Sequence, residues 1–178
     1  MLKYSITRTP NPRSAAERAA IFADPGFGKH FTEHMVAIDW DKDAGWHDAQ
    51  VRPSGPLSLA PAASVLHYGQ EIFEGIKAYR HADGSIWTFR PEANGERLQR
   101  SARRLALPEL PVDEFVQSLR QLVAVDADWV PGEPETSLYF RPFMIATEAF
   151  LGVRAAHKAS YHVIASPVGA YFAKGVAP

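Results

Sequence analysis

The sequence contains no cysteine among its 178 residues, which excludes disulfide bonds, thiolate zinc sites and cysteine nucleophiles. It also lacks an excess of charge of either sign. The net charge of −1 gives no electrostatic reason to expect nucleic acid or an anionic membrane as a partner. No apolar run approaches the length of a membrane span, and the N-terminal residues contain no apolar signal segment. These absences predict a cytoplasmic protein that binds neither nucleic acid nor membrane.

Several motifs of known chemistry are absent as well. The sequence has no G-x-S-x-G, no P-loop and no G-x-G-x-x-G. His30 and His34 have an H-x-x-x-H spacing, but they lie in a predicted strand, so we expect no metal site there. Glu71 and Glu74 form a carboxylate pair close in sequence, and the simplest interpretation is a role in capping or ion pairing.

Local patterns predict one α+β domain with a mixed, mostly antiparallel sheet and helices packed on it. Ser14 and Glu17 form a capping box before a helix over 15–23. Leu98, Ala102 and Leu105 have the spacing of a buried helical stripe after Pro91. A second helix is predicted from Asp113, as the N-cap, to Val125, with Phe115, Leu119 and Leu122 directed inward. Strands are predicted over 29–40, 46–51, 76–80, 85–90, 136–147 and 160–166, with an extended connection over 52–66.

The stretch from His67 to Arg80, HYGQEIFEGIKAYR, organises the rest of the chain. A strand follows Gly75, then an Asp-Gly turn, then a second strand, which is a strong local signal for a hairpin. Tyr68 and Phe73 would lie at the mouth of the sheet, where a ligand could stack. Taken singly, each of them, like Tyr171, is more often a core residue than a pocket residue.

Two arginines are candidates for anion binding. Arg97 lies about one turn inside the helix that begins near Pro91, where free backbone N–H groups already attract anions such as phosphate. The alternative is a solvated arginine on a helix rich in arginines. Arg141 lies on a predicted strand in the apolar run LYFRPFMIA, and a buried guanidinium needs an anionic partner. That partner is either an internal Asp or Glu, which we favour, or a substrate carboxylate.

Taken together, these segments resemble branched-chain aminotransferases, the pyridoxal-phosphate enzymes of fold type IV. The resemblance depends on LHYGQEIFEGIKAYR, on F-R-P-x-x-N-x-x-R from Phe89 to Arg97, and on S-L-Y-F-R-P from Ser137 to Pro142. Shorter matches occur in the same order at Thr32–Met35, Trp129–Pro131, Leu151–Val153 and Pro167–Phe172. The resemblance extends from about Gly28 to Gly175.

The resemblance implies a role for each matching residue. Arg97 would grip the phosphate of pyridoxal 5′-phosphate, and Arg141 with Tyr139 would receive the distal carboxylate of glutamate or 2-oxoglutarate. Leu151 and Val153 would complete the pocket of the neighbouring subunit, so the resemblance predicts a homodimer. Aromatic residues would form the walls of a pocket for a branched aliphatic side chain, namely Phe31, Tyr68, Phe73, Tyr139 and Tyr171.

One expected group is missing from the sequence. In the family, the Schiff-base lysine lies roughly two dozen residues beyond the Gly-Ala-Tyr-Phe loop, which places it after Pro178. We therefore expect an arm and short helix over 1–27, the α+β domain over 28–174, and the start of a linker to a second domain over 175–178. These residues alone are expected to be inactive. The alternatives are a D-amino-acid aminotransferase or aminodeoxychorismate lyase of the same fold, or a non-catalytic domain for phosphate ligands or dimerisation.

Overall fold

A computed structural model of the chain describes residues 1–169. The predicted linker over 175–178 and the predicted pocket residue Tyr171 lie outside this range. The described elements are β1 Ser5–Ile6, α1 Ala15–Ala23, β2 His34–Asp41, β3 Gly45–Pro53, α2 Ser64–Tyr68, β4 Glu71–Phe73, β5 Ile76–Arg80, β6 Ile86–Thr88, α3 Pro91–Arg104, α4 Val112–Val125, β7 Ser137–Ala146 and β8 Lys158–Val168.

All of these strands join one sheet, in the order β1-β3-β2-β8-β7-β5-β6, and β4 pairs separately with β7. Only β1 and β3 pair in parallel; the other pairs are antiparallel. The predicted α+β class with a mixed, mostly antiparallel sheet is therefore confirmed. The long pair β7 and β8 crosses its middle and sets Tyr139 opposite Ser166 and Arg141 opposite Ile164.

Local signals in the sequence located most elements. The capping box at Ser14 is formed, with both of its hydrogen bonds present. The predicted hairpin is the pair β5 and β6, and its second strand is shorter than expected. The short strands β1 and β4 were not predicted, and neither was α2, which occurs at the end of the segment predicted to be extended. This single helical turn ends at Gly69, whose φ of +56° suits glycine, and Ser64 anchors its start on the carbonyls of Glu148 and Phe150.

Helices α3 and α4 pack against each other, and α4 also contacts β2, β3 and β8. The predicted inward residues of α4 are buried, as are Leu98 and Ala102 of α3. Leu105 does not continue that stripe. It is 39% exposed because α3 ends at Arg104. The N-cap of α4 is Pro111 rather than Asp113, which lies in the first turn, where its charge favours the helix dipole.

No helix within residues 1–169 is both long enough and apolar enough to cross a bilayer.

Candidate functional site

The tripeptide Phe73–Glu74–Gly75 connects the two arginines that the sequence singled out. The ring of its phenylalanine lies under the guanidinium of Arg141, with 4.4 Å between the guanidinium carbon and the ring centroid. Its glutamate accepts two hydrogen bonds from the guanidinium of Arg97. Its glycine approaches Tyr139 so closely that an added Cβ would lie 2.5 Å from the tyrosine oxygen. One short segment therefore fixes both cationic groups.

Arg97 is held by a buried carboxylate. Its Nε donates to Oε1 of Glu74 at 2.7 Å, and its Nη2 donates to Oε2 at 2.6 Å. The side chain of Glu74 is 3% exposed and that of Arg97 is 59% exposed. The hydrogen bond to Glu74, and then the charge of that carboxylate, raise the pKa of Arg97. Within the described residues, Nη1 of Arg97 has no hydrogen-bond partner, so it is available to an anion from outside.

The position of Arg97 differs from the sequence prediction in one respect. It lies six residues after Pro91, nearly two turns inside α3 rather than one, or about 9 Å along the axis at 1.5 Å per residue. The first-turn N–H groups of α3 therefore do not explain its orientation, and Glu74 does. The ion-pair role suggested for Glu74 is confirmed.

Arg141 has no carboxylate within ion-pair distance in residues 1–169, so our preference for an internal acidic partner was wrong. Its Nη2 and Nε donate to the hydroxyl oxygen of Tyr139 at 2.8 and 3.3 Å. Its guanidinium also faces the rings of Phe73 and Tyr139, at 4.4 and 5.5 Å. Aromatic faces hold the cation in place without neutralising it. The positive charge of Arg141 can therefore pair with an anionic group of a ligand.

A small cavity of about 200 Å³ lies beside Arg141. Its lining includes Phe27, Phe31 and Tyr139, together with Ile164, Ala165 and Ser166 of β8. This volume suits a side chain rather than a whole ligand, since typical ligand pockets exceed about 300 Å³. Phe27 packs on Tyr139 with 5.2 Å between the ring centroids, and sequence reasoning missed it. No spacing signal pointed to it, because it lies in a turn far from β7 in sequence.

The predicted aromatic residues do not all share one set of contacts. Phe31 and Tyr139 line this cavity, and Phe73 supports it through Arg141. Tyr68 instead donates its hydroxyl to the carbonyl of Leu151. It thereby contacts the loop that contains Leu151 and Val153, two residues that are 61% and 84% exposed.

A larger cleft of about 590 Å³ lies elsewhere, between the segment Pro56–Ala60 and one face of β2, β3 and β8. It is lined by residues of both charges, and His162 lies on its floor. Burial lowers the pKa of that imidazole to about 4. None of the predicted site residues within the described part of the chain lines this cleft. Of the predicted site residues, Phe31, Tyr139 and Arg141 line the smaller cavity, whereas Arg97 does not.

The close approach of Gly75 to Tyr139 gives a testable prediction. We expect Gly75→Ala to lower the free energy of unfolding by about 1–3 kcal/mol, because the added Cβ must displace the tyrosine ring. Urea unfolding of the full-length protein measures this cost. Gly55→Ala is the matched control, since nothing lies within 4 Å of a Cβ at that position.

A double variant identifies the cause of that cost. Gly75→Ala combined with Tyr139→Phe should recover part of the loss, because the tyrosine oxygen is the atom nearest to the new Cβ. Equal costs at Gly75 and Gly55, or no recovery in the double variant, would contradict the predicted contact.

Comparisons with known proteins give relatives along nearly the whole chain. It is 61% identical over 178 residues to a protein of Mycolicibacterium smegmatis named branched-chain-amino-acid aminotransferase, covering 99% of this chain and 48% of that protein. It is 45% identical over 177 residues to branched-chain-amino-acid aminotransferase 2 of Bacillus subtilis, covering 99% and 47%. The chain thus spans about half the length of the curated relatives it matches. No family model matches it.

Solved structures give the same likeness. The T.th. branched-chain amino acid aminotransferase, crystallised with pyridoxamine 5′-phosphate, has a TM-score of 0.58 at 25% identity, covering 78% of this chain and 42% of that one. A branched-chain aminotransferase from the archaeon Thermoproteus uzoniensis, crystallised with norvaline, has a TM-score of 0.59 at 23% identity, covering 78% and 43%. The second likeness concerns the fold alone.

Proposed function

This chain belongs to the branched-chain-amino-acid aminotransferase family, and from that premise we propose the activity of the full-length protein. The chain spans about half the length of these relatives. The proposed reaction transfers the amino group between leucine, isoleucine or valine and 2-oxoglutarate, with pyridoxal 5′-phosphate as the cofactor. In this proposal the chain is the N-terminal part of the enzyme. It supplies the phosphate-binding arginine and the walls of the substrate pocket.

The observation that carries the proposal is the environment of Arg141. A strong cation faces two aromatic rings at the edge of an apolar cavity, and its hydrogen-bond acceptor is the hydroxyl of Tyr139. Such a site accepts an aliphatic side chain against its apolar walls and a distal carboxylate at its cation. An enzyme that exchanges amino groups between leucine and glutamate needs both properties in one pocket.

The residues present fit the proposed cofactor. The exposed edge of Arg97, with Nη1 free within residues 1–169, can donate charge-assisted hydrogen bonds to a phosphate. Pyridoxal phosphate, when bound, supplies an electron-accepting ring that makes the α-proton of an amino acid acidic enough to remove. Phe31 and Phe73 would exclude water from the aliphatic part of the substrate. The hydroxyl of Tyr139 would orient Arg141 by accepting its hydrogen bonds, and its O–H would donate a hydrogen bond to the bound carboxylate.

The proposed enzyme needs further groups besides Arg97 and Arg141. We propose that the Schiff-base lysine belongs to the half of the relatives' length that this chain does not span, and that Tyr171 adds to the pocket wall. We also propose a homodimer in which Leu151 and Val153 complete the neighbouring pocket. The high exposure of these two apolar side chains supports this role. A cytoplasmic location and the absence of nucleic-acid and membrane partners stay predictions.

Substrate turnover by the full-length protein tests this function. We expect transamination of L-leucine with 2-oxoglutarate and no comparable turnover of D-alanine. Preference for D-alanine would contradict the substrate class and favour a D-amino-acid aminotransferase of the same fold. Binding of pyridoxal phosphate without any transamination would favour a non-catalytic binding domain.

A further inference from the structure

Glu74 is a buried carboxylate at the centre of the hydrogen bonds around Arg97. Its side chain is 3% exposed, and its backbone N–H donates to the carbonyl of Pro142, which fixes it to β7. Its two oxygens accept three hydrogen bonds: one from Nε of Arg97, one from Nη2 of Arg97 at the other oxygen, and one from the amide of Asn94 at 2.9 Å. The same amide donates to the carbonyl of Gly75 at 3.2 Å.

This geometry leaves Arg97 little freedom to rotate. An exposed arginine normally samples many rotamers, and ordering it on a ligand costs free energy that weakens binding. Here the paired hydrogen bonds to Glu74 occupy Nε and Nη2 and hold the plane of the guanidinium. Nη1 lies on the opposite edge of the guanidinium from the Nε–Nη2 pair that binds Glu74.

We propose that Glu74 is a positioning residue, which acts through Arg97 by holding its guanidinium in the orientation that receives a phosphate. This inference rests on the proposed function, since it requires Arg97 to bind the phosphate of pyridoxal phosphate. Asn94 supports the same arrangement from the preceding turn of α3, because it shares one oxygen of Glu74 and ties it to Gly75.

Simple electrostatics predicts the opposite effect, which makes the proposal testable by its sign. A carboxylate close to a phosphate repels it, so removal of the negative charge by Glu74→Gln should strengthen phosphate binding if charge alone mattered. The positioning role predicts weaker binding. The glutamine amide would direct its own N–H groups towards the N–H donors of Arg97 or Asn94. The paired hydrogen bonds from Nε and Nη2 of Arg97 would then be lost.

The experiment uses the full-length protein freed of cofactor, titrated with pyridoxal phosphate and, separately, with pyridoxal, which lacks the phosphate. We expect Glu74→Gln to weaken pyridoxal phosphate binding by about tenfold, the lower end for hydrogen bonds to charged groups, and to leave pyridoxal binding nearly unchanged. Glu109→Gln is the matched control, because Glu109 pairs with Arg103, an exposed arginine near the other end of α3. That control should change neither affinity.

A double variant shows whether Glu74 acts through Arg97. Glu74→Gln added to Arg97→Ala should cause no further loss of preference for pyridoxal phosphate over pyridoxal, because the arginine to be positioned is already absent. The double variant also avoids an unpaired buried carboxylate, so it stays informative where Arg97→Ala alone folds poorly.

The outcomes separate this inference from the proposed function. Stronger or unchanged pyridoxal phosphate binding by Glu74→Gln would overturn the positioning role, and so would equal weakening of both ligands, which is the sign of a purely structural effect. A wild-type protein that does not prefer pyridoxal phosphate to pyridoxal would instead overturn the cofactor assignment itself.

Discussion

Arg97→Ala should weaken the binding of pyridoxal phosphate to the full-length protein by about a hundredfold, within the range for lost hydrogen bonds to charged groups. Two effects combine in this variant. The phosphate loses its donor, and Glu74 is left as a buried carboxylate without its cation. Because the cofactor is shared by all substrates, turnover at low cofactor concentration should fall for leucine and glutamate alike. Titration with the cofactor, followed by absorbance, measures the effect.

Arg103→Ala is the appropriate control for that experiment. Arg103 lies on the same helix and also pairs with a glutamate, but both members of that pair, Arg103 and Glu109, are exposed. Exposed ion pairs contribute little, so cofactor affinity should not change. An unchanged affinity in Arg97→Ala would mean that this arginine serves only the ion pair with Glu74.

Arg141→Ala should separate the two substrates of the proposed reaction. We expect kcat/KM for L-glutamate to fall by about a hundredfold, because only glutamate places a second carboxylate on this cation. For L-leucine we expect a change of no more than about threefold, since its side chain contacts the apolar walls. The measurement is a comparison of both kcat/KM values at saturating cofactor.

The control here is Arg120→Ala, at an exposed position on α4. It should alter neither substrate. Equal losses for glutamate and leucine in Arg141→Ala would show that the arginine maintains the structure of the pocket and does not recognise the acid.

Local sequence signals were sufficient for most of the fold. The capping box at Ser14 and the turn at Asp83–Gly84 are set by neighbours in sequence, so they could be predicted. The predicted N-cap of α4 and the predicted end of the buried stripe on α3 were wrong, since each depends on where a helix begins or ends. A helix boundary is decided by tertiary packing as much as by residue preference.

The site was harder to predict than the fold. Sequence pattern could identify Arg97 and Arg141 as unusual, but it could not give their partners. Glu74 lies 23 residues before Arg97, and only the folded sheet brings their side chains together. The absence of a carboxylate beside Arg141 within residues 1–169 likewise could not be read from the chain. Nor could the position of Phe73, since the pairing of β4 with β7 sets Phe73 opposite Phe143 and places the ring of Phe73 under the guanidinium.

The most direct measurement is a crystal structure of the full-length protein with the phosphopyridoxyl adduct of L-glutamate. We expect Arg97 to donate to the phosphate and Arg141 to the distal carboxylate, each at about 2.7–2.9 Å, with Glu74 still holding Arg97. An adduct whose phosphate and distal carboxylate are bound by other residues, with both arginines directed to solvent, would contradict the assignment of this chain to cofactor and substrate binding.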